Sequence, residues 1–151
     1  MKKKMLTMKK KMLTKSEKAA VVKAAGKIAA LEFVAHKIAL GYVRQITLAQ
    51  NEAVVDMCVA VARLRSEFMG ALLTNEHRWG IRYEALDDAS VAACVAEISR
   101  HKAYTAKRML AMLDELEGIV VADMTLLDFL NIDDIYLLAR IAVNDFAEFE
   151  D

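Results

Sequence analysis

From Lys15 onward the apolar positions of this chain recur at the three- and four-residue spacing of α-helices, not at the alternation of strands. Val21, Val22, Ala25, Ile28, Ala29, Phe33, Ile38 and Val43 keep that spacing, while Ala24, Ala30, Leu31, Ala35 and Leu40 carry apolar surface most of the way round. A helix apolar on so much of its circumference is expected at the centre of a fold or covered on two sides. Thr14 and Glu17 predict its start, because a Thr hydroxyl can accept from the third helical N–H while the Glu side chain reaches back to the Thr N–H. Gly26 and Gly41 interrupt the pattern at a cost on the order of 1 kcal/mol each relative to Ala, and close helix crossing is the expected reason for them.

Thr47 with Gln50 repeats the capping pattern and opens a second helix, with Val54, Met57, Cys58, Val61, Leu64, Phe68 and Leu72 on one stripe, expected to end near Leu73. Thr74 to Asp88 has no clean period and contains Gly80 and the one Trp, so it reads as a connector. Asp87 or Asp88 is placed to cap a long third helix ending before Gly118, with Val91, Val95, Ile98, Met109, Met112 and Leu116 in a heptad-like series. Lys102 and Thr105 interrupt that series, which favours a bundle helix over a lone coiled coil. After Gly118 the run IVVADM allows only a brief extended piece, and Thr125 with Asp128 suggests a short helix through about Leu130. Asp133 and Asp134 favour the positive end of a last helix dipole, with Ile135, Leu138, Ala139, Ala142, Phe146 and Phe149 as its stripe. The fold class expected is all-α: an antiparallel helical bundle of three long helices plus one or two shorter C-terminal helices, over residues 15–151 as a single domain.

Composition agrees with packed helices. The chain has 151 residues, no proline and only 5 glycines, so the residues that break helices are nearly missing. Its hydrophobic fraction of 56% exceeds the roughly 45–50% usual for soluble domains, which makes self-association an expectation. Cys58 and Cys94 each sit in an apolar run and read as reduced core residues, as in a cytoplasmic protein. Lysines and Glu32 interrupt every early stretch long enough to be a signal sequence, and runs free of charge and His, such as Ala89 to Ala96, are too short to span a membrane.

The formal net charge of zero hides a gradient. Residues 1–44 carry twelve Lys/Arg against Glu17 and Glu32, whereas residues 109–151 carry only Arg140 against eleven acidic residues. Either the two ends attract each other, within or between molecules, or each faces its own partner. The first fourteen residues are a perfect tandem repeat of MKKKMLT, compatible with a second start of translation at Met8, and are expected to form a flexible basic arm. Lys2, Lys3, Lys4, Lys9, Lys10, Lys11 and Lys15 would suit nucleic-acid phosphate or an acidic surface.

Motifs for chemistry are sparse. No glycine elbow around a serine, phosphate-cradling loop, Cys-x-x-Cys or His-Glu-x-x-His occurs, so an enzyme is not the expected reading. Glu32 with His36, and Glu97 with His101, stand four apart and would offer four metal ligands if their helices lay side by side. Four-apart Glu and His are more often a surface pair, and the Glu-x-x-His spacing of di-iron bundles is missing, so neither a metal nor another cofactor is expected. The segment His77, Arg78, Trp79, Arg82 and Tyr83 carries the residue types that most often anchor interfaces, although a single Trp beside a bundle also often caps the core. A second basic group, Arg100, His101, Lys102, Lys107 and Arg108, reads as a solvated face. Taken together, these features favour a non-enzymatic protein-protein interaction module, an adaptor, inhibitor or assembly factor that binds a protein partner and forms homo-oligomers. Nucleic-acid association through the lysine arm is the second reading and a metal-binding bundle the third.

Overall fold

A computed structural model of the chain describes residues 13–41, 47–82, 89–101, 104–121, 124–125 and 132–150. Among them are five helices, α1 (Lys15–Gly41), α2 (Leu48–Trp79), α3 (Ala89–His101), α4 (Ala106–Glu117) and α5 (Asp133–Ala147). Between α4 and α5, β1 (Val120–Val121) pairs antiparallel with β2 (Met124–Thr125), the brief extended piece that the apolar run allowed. The regular structure among the described residues is therefore helical apart from this short pair.

Local chemistry sets the helix starts. Thr14 Oγ1 accepts from Glu17 N at 3.1 Å and Glu17 Oε1 accepts from Thr14 N at 2.7 Å, which satisfies two amides that the first turn leaves without helical partners. The same reciprocal cap joins Thr47 and Gln50 at the head of α2. Asp133 and Asp134 open α5 as expected, exposed beside the positive end of its dipole.

Helix α1 is the centre of the fold, as its broad apolar surface required. It packs against α2, α3, α4 and β1, while α5 packs on both α2 and α4. The helices α1, α2, α5 and α4 thus form a closed ring of contacts, with α3 added on the far flank of α1. The core at their meeting point includes Ile28, Leu31, Met57, Leu64, Phe68, Met109, Leu113 and Phe146. Burying an aliphatic or aromatic side chain of this size is worth roughly 1.5–3 kcal/mol against leaving it exposed, so these side chains, not the surface ion pairs, hold the helices together.

Several expectations are corrected. The second helix runs six residues past Leu73 to Trp79, and what stops it is Gly80, whose φ of 71° is left-handed and whose N–H donates to Glu76 O at 3.0 Å. The long third helix is two helices, because Thr105 takes an extended conformation and its Oγ1 accepts from Arg108 N at 3.2 Å to cap α4. Thr125 lies in β2, not at a helix cap; Asp128 and Leu130 lie outside the described residues, as do Asp87 and Asp88. On α5 Leu138 is exposed, and Phe149, past the end of the helix, is exposed too; Tyr136 and Val143 are buried in their stead, since a helix wedged between α2 and α4 turns its face toward the gap between them. Gly41 ends α1, and among the described residues no atom lies near enough to clash with a side chain there, whereas Gly26 is buried.

Candidate functional site

The sequence placed an interface around Trp79, and the structure divides that segment in two. Trp79 closes the last turn of α2 and is only 2% exposed, and Ile81 just beyond the Gly80 turn is buried as well. The two apolar residues on either side of the turn therefore pin the end of α2 to the core. His77, Arg78 and Arg82 remain on the surface, with the Arg78 guanidinium 6.0 Å from the centre of the Trp79 ring; Tyr83 lies outside the described residues. A cation over an indole face is favourable, and here it shields the ring from water. Trp79 is a core residue, not an exposed anchor.

The metal hypothesis required Glu32, His36, Glu97 and His101 to converge. α1 and α3 do pack together, but Glu32 and His36 border an open groove of about 310 Å³ beside Phe33, Arg65 and Val95. Glu97 instead borders a small recess of about 30 Å³ with Lys27, Cys94 and Arg108. Glu32 is already engaged, accepting from Arg65 Nη1 at 2.6 Å in an ion pair between α1 and α2. The side chain of His101 is outside the described set, and among the described residues no group of three or more His, Cys, Asp or Glu is placed to hold a metal ion. Glu32 and His36 therefore border a different cleft from Glu97, because α3 meets α1 with Glu97 turned toward α4.

Of the lysine arm only Lys15 is described, exposed in the first turn of α1; Lys2, Lys3, Lys4, Lys9, Lys10 and Lys11 lie outside the described residues. In the second basic group Arg100 and Lys107 are exposed as expected, but Arg108 is half-buried and its Nε has no hydrogen-bond partner among the described residues. The charge gradient is partly closed inside the molecule, since Lys27 of α1 forms an ion pair with Glu115 of α4.

A polar chain couples α4 to α5. The Tyr136 hydroxyl, in a residue 2% exposed, donates to Leu113 O at 3.0 Å and accepts from Arg140 Nη1 at 3.0 Å, while the same nitrogen lies 2.7 Å from Asp114 Oδ1. Burial pushes the tyrosine hydroxyl above its ordinary pKa, with the Arg140 hydrogen bond opposing, and the hydrogen bond to Asp114 raises the arginine further above its own. Each group in the chain has a partner, and of these side chains Asp114 also borders an open groove. Nearby, Leu110, Ala111, Ala147 and Phe149 line an open groove of about 910 Å³ between the two helices.

No protein-family model matches the chain, and no curated protein or solved structure matches it either. Function has to be read from the chain's own surface.

That surface carries a feature the sequence reading missed. Leu48, Val55, Val59 and Leu73 are exposed along α2, Leu48 by 74% and Val59 by 61%, on the side opposite its buried stripe. Leu137, Leu138 and Ile141 are likewise exposed on α5. Single exposed apolar residues are ordinary, but a run along one face of a helix is water-exposed surface that a partner can cover. The signal was present in the sequence, because α2 has apolar residues on two opposite faces. With one stripe assigned to the core, only the packing could show that the other is left uncovered.

Proposed function

We propose that the protein is a non-enzymatic interaction module, an adaptor, inhibitor or assembly factor, whose working surfaces are the exposed apolar faces of α2 and α5. The observation that carries this reading is the exposure of Leu137, Leu138 and Ile141 on α5 together with the uncovered stripe of α2. His77, Arg78 and Arg82 at the end of α2 supply exposed polar contacts at its margin, with Trp79 holding that end in place from within. No described helix is long and apolar enough to cross a membrane, and a cytoplasmic site of action is part of the proposal.

The finer architecture is proposed as an antiparallel bundle built on α1, α2 and the α3–α4 pair. It is supported by the order of contacts: as α1 is followed backwards from Ala35 to Glu32, α2 advances from Cys58 to Arg65. The test of function is recovery of a defined partner by the tagged full chain, with and without nuclease, compared with Leu137→Glu/Ile141→Glu. A nuclease-resistant partner retained by wild type and lost by the variant supports the module. Recovery that depends on nucleic acid and is lost when Lys2, Lys3, Lys4, Lys9, Lys10 and Lys11 become Ala would replace it with the phosphate-binding reading.

A further inference from the structure

The exposed face of α2 has an order that points to its occupant. Leu48, Val55, Val59, Ala62, Ser66 and Leu73 are all exposed, and with Glu52 and Met69 they alternate at spacings of four and three, the repeat with which two helices pair side by side. This seam runs for roughly 38 Å at the rise of an α-helix. Set against its own copy in the opposite direction, it matches itself. Leu48 meets Leu73 of the second copy at each end, Val55 meets Ser66, and Val59 meets Ala62 at the middle. Small side chains at Ala62 and Ser66, with Gly70 exposed beside them, let two backbones approach closely.

Charge supports the same register. Asp56 and Arg63 flank the seam on one side, both exposed, and neither has an ion-pair partner among the described residues. In the antiparallel arrangement Asp56 of each copy faces Arg63 of the other, so symmetry makes two attractive pairs at once. A parallel arrangement, which sets each residue of the seam beside its own copy, does not bring these opposite charges together. Glu52 is the one charge within the seam and falls opposite Met69 near its edge, where its head can reach water. A polar residue at one seam position fixes register at some cost in affinity.

We infer that the protein forms an antiparallel homodimer through α2, with Leu48–Leu73 layers at the ends and reciprocal Asp56–Arg63 pairs between the copies. The inference rests on reading this face as an interaction surface, and it names the occupant. Sedimentation equilibrium of the full chain, from micromolar to submillimolar concentration, tests it. Wild type is expected to dimerise, Val59→Glu to be monomeric, and Asp56→Arg and Arg63→Asp each to weaken association at least tenfold. The double variant Asp56→Arg/Arg63→Asp restores it, and circular dichroism confirms that all variants fold, since every substituted residue is exposed.

Orientation is tested by mild oxidation of mixed Leu48→Cys and Leu73→Cys proteins, with wild type as the background for Cys58 and Cys94. Cross-linking between the two variants, and not within Leu48→Cys alone, is the expected result. A monomeric wild type, a double variant that fails to recover, or self-cross-linking of Leu48→Cys would each overturn the inference. A monomer that still captures a partner through α5 would do so while leaving the interaction-module reading intact.

Discussion

At the scale of single residues, Trp79 and Tyr136 have the largest consequences. Trp79→Ala removes a buried indole from the end of α2 and should destabilise the protein by about 3–5 kcal/mol, whereas Arg82→Ala, on the exposed side of the turn, should stay within about 0.5 kcal/mol. Urea denaturation separates the two; equal, small effects would mean that Trp79 is not in the core. Tyr136→Phe leaves Leu113 O and Arg140 without their hydroxyl partner and should cost about 1–3 kcal/mol. The same group predicts a pH dependence. Burial raises Tyr136 and Cys58 above their ordinary values of 10.0 and 9.0, so above those values the folded chain holds protons that the unfolded chain has released. Stability from these groups is complete below about pH 9 and falls as pH rises beyond it, and Tyr136→Phe should flatten the part of the fall above about pH 10. A stability that rises across that range in urea melts would contradict the assignment.

At the scale of elements, the caps and breaks decide where helices begin and end. Thr105 is the residue that separates α3 from α4, and Thr105→Ala should cost about 1 kcal/mol through loss of the Arg108 N–H contact. Thr47→Ala should cost a similar amount at α2, where the hydroxyl's bond from Gln50 N and its own bond to Gln50 Oε1 are both lost. Thermal melts compared with an exposed control such as Ser66→Ala would measure both. The Thr47 cap was legible from the sequence, because a cap depends on residues within one turn of one another, whereas Thr105 was read only as an interruption within one long helix. The length of α2 was not legible: Thr74 to Trp79 lacks a clean period, and the helix continues through it to bring Trp79 into the core. On α5 the predicted stripe was turned by part of the circumference, since which of Tyr136 or Leu138 is covered depends on two neighbours, α2 and α4, that the local pattern does not contain.

At the scale of the whole molecule, α1 is the post around which the other elements gather, and the attraction between the basic beginning and acidic end of the chain is secondary to burial. Lys27 with Glu115, Arg65 with Glu32 and Arg140 with Asp114 tie α1 to α4, α1 to α2 and α5 to α4, and each is partly exposed. Exposed pairs are worth about 0–1 kcal/mol and are screened by salt. Thermal stability should therefore change by only a few degrees between low salt and about 1 M sodium chloride, where the screening length falls to about 3 Å. A collapse of the fold in high salt would show instead that the charge gradient holds it together.

The sequence by itself determined the helical class, the starts of α1 and α2, the core stripe of α2 and the central role of α1. Each follows from spacing and capping within a few turns, where cause and effect are close along the chain. The tertiary structure alone decided that Trp79 faces inward, that Glu32 with His36 and Glu97 border different clefts, and that the second apolar face of α2 stays uncovered. Those outcomes depend on which helix lies against which, and at what rotation. Periodicity records how many faces of a helix are apolar, but a face becomes core or surface only when a neighbouring helix covers it or leaves it to water.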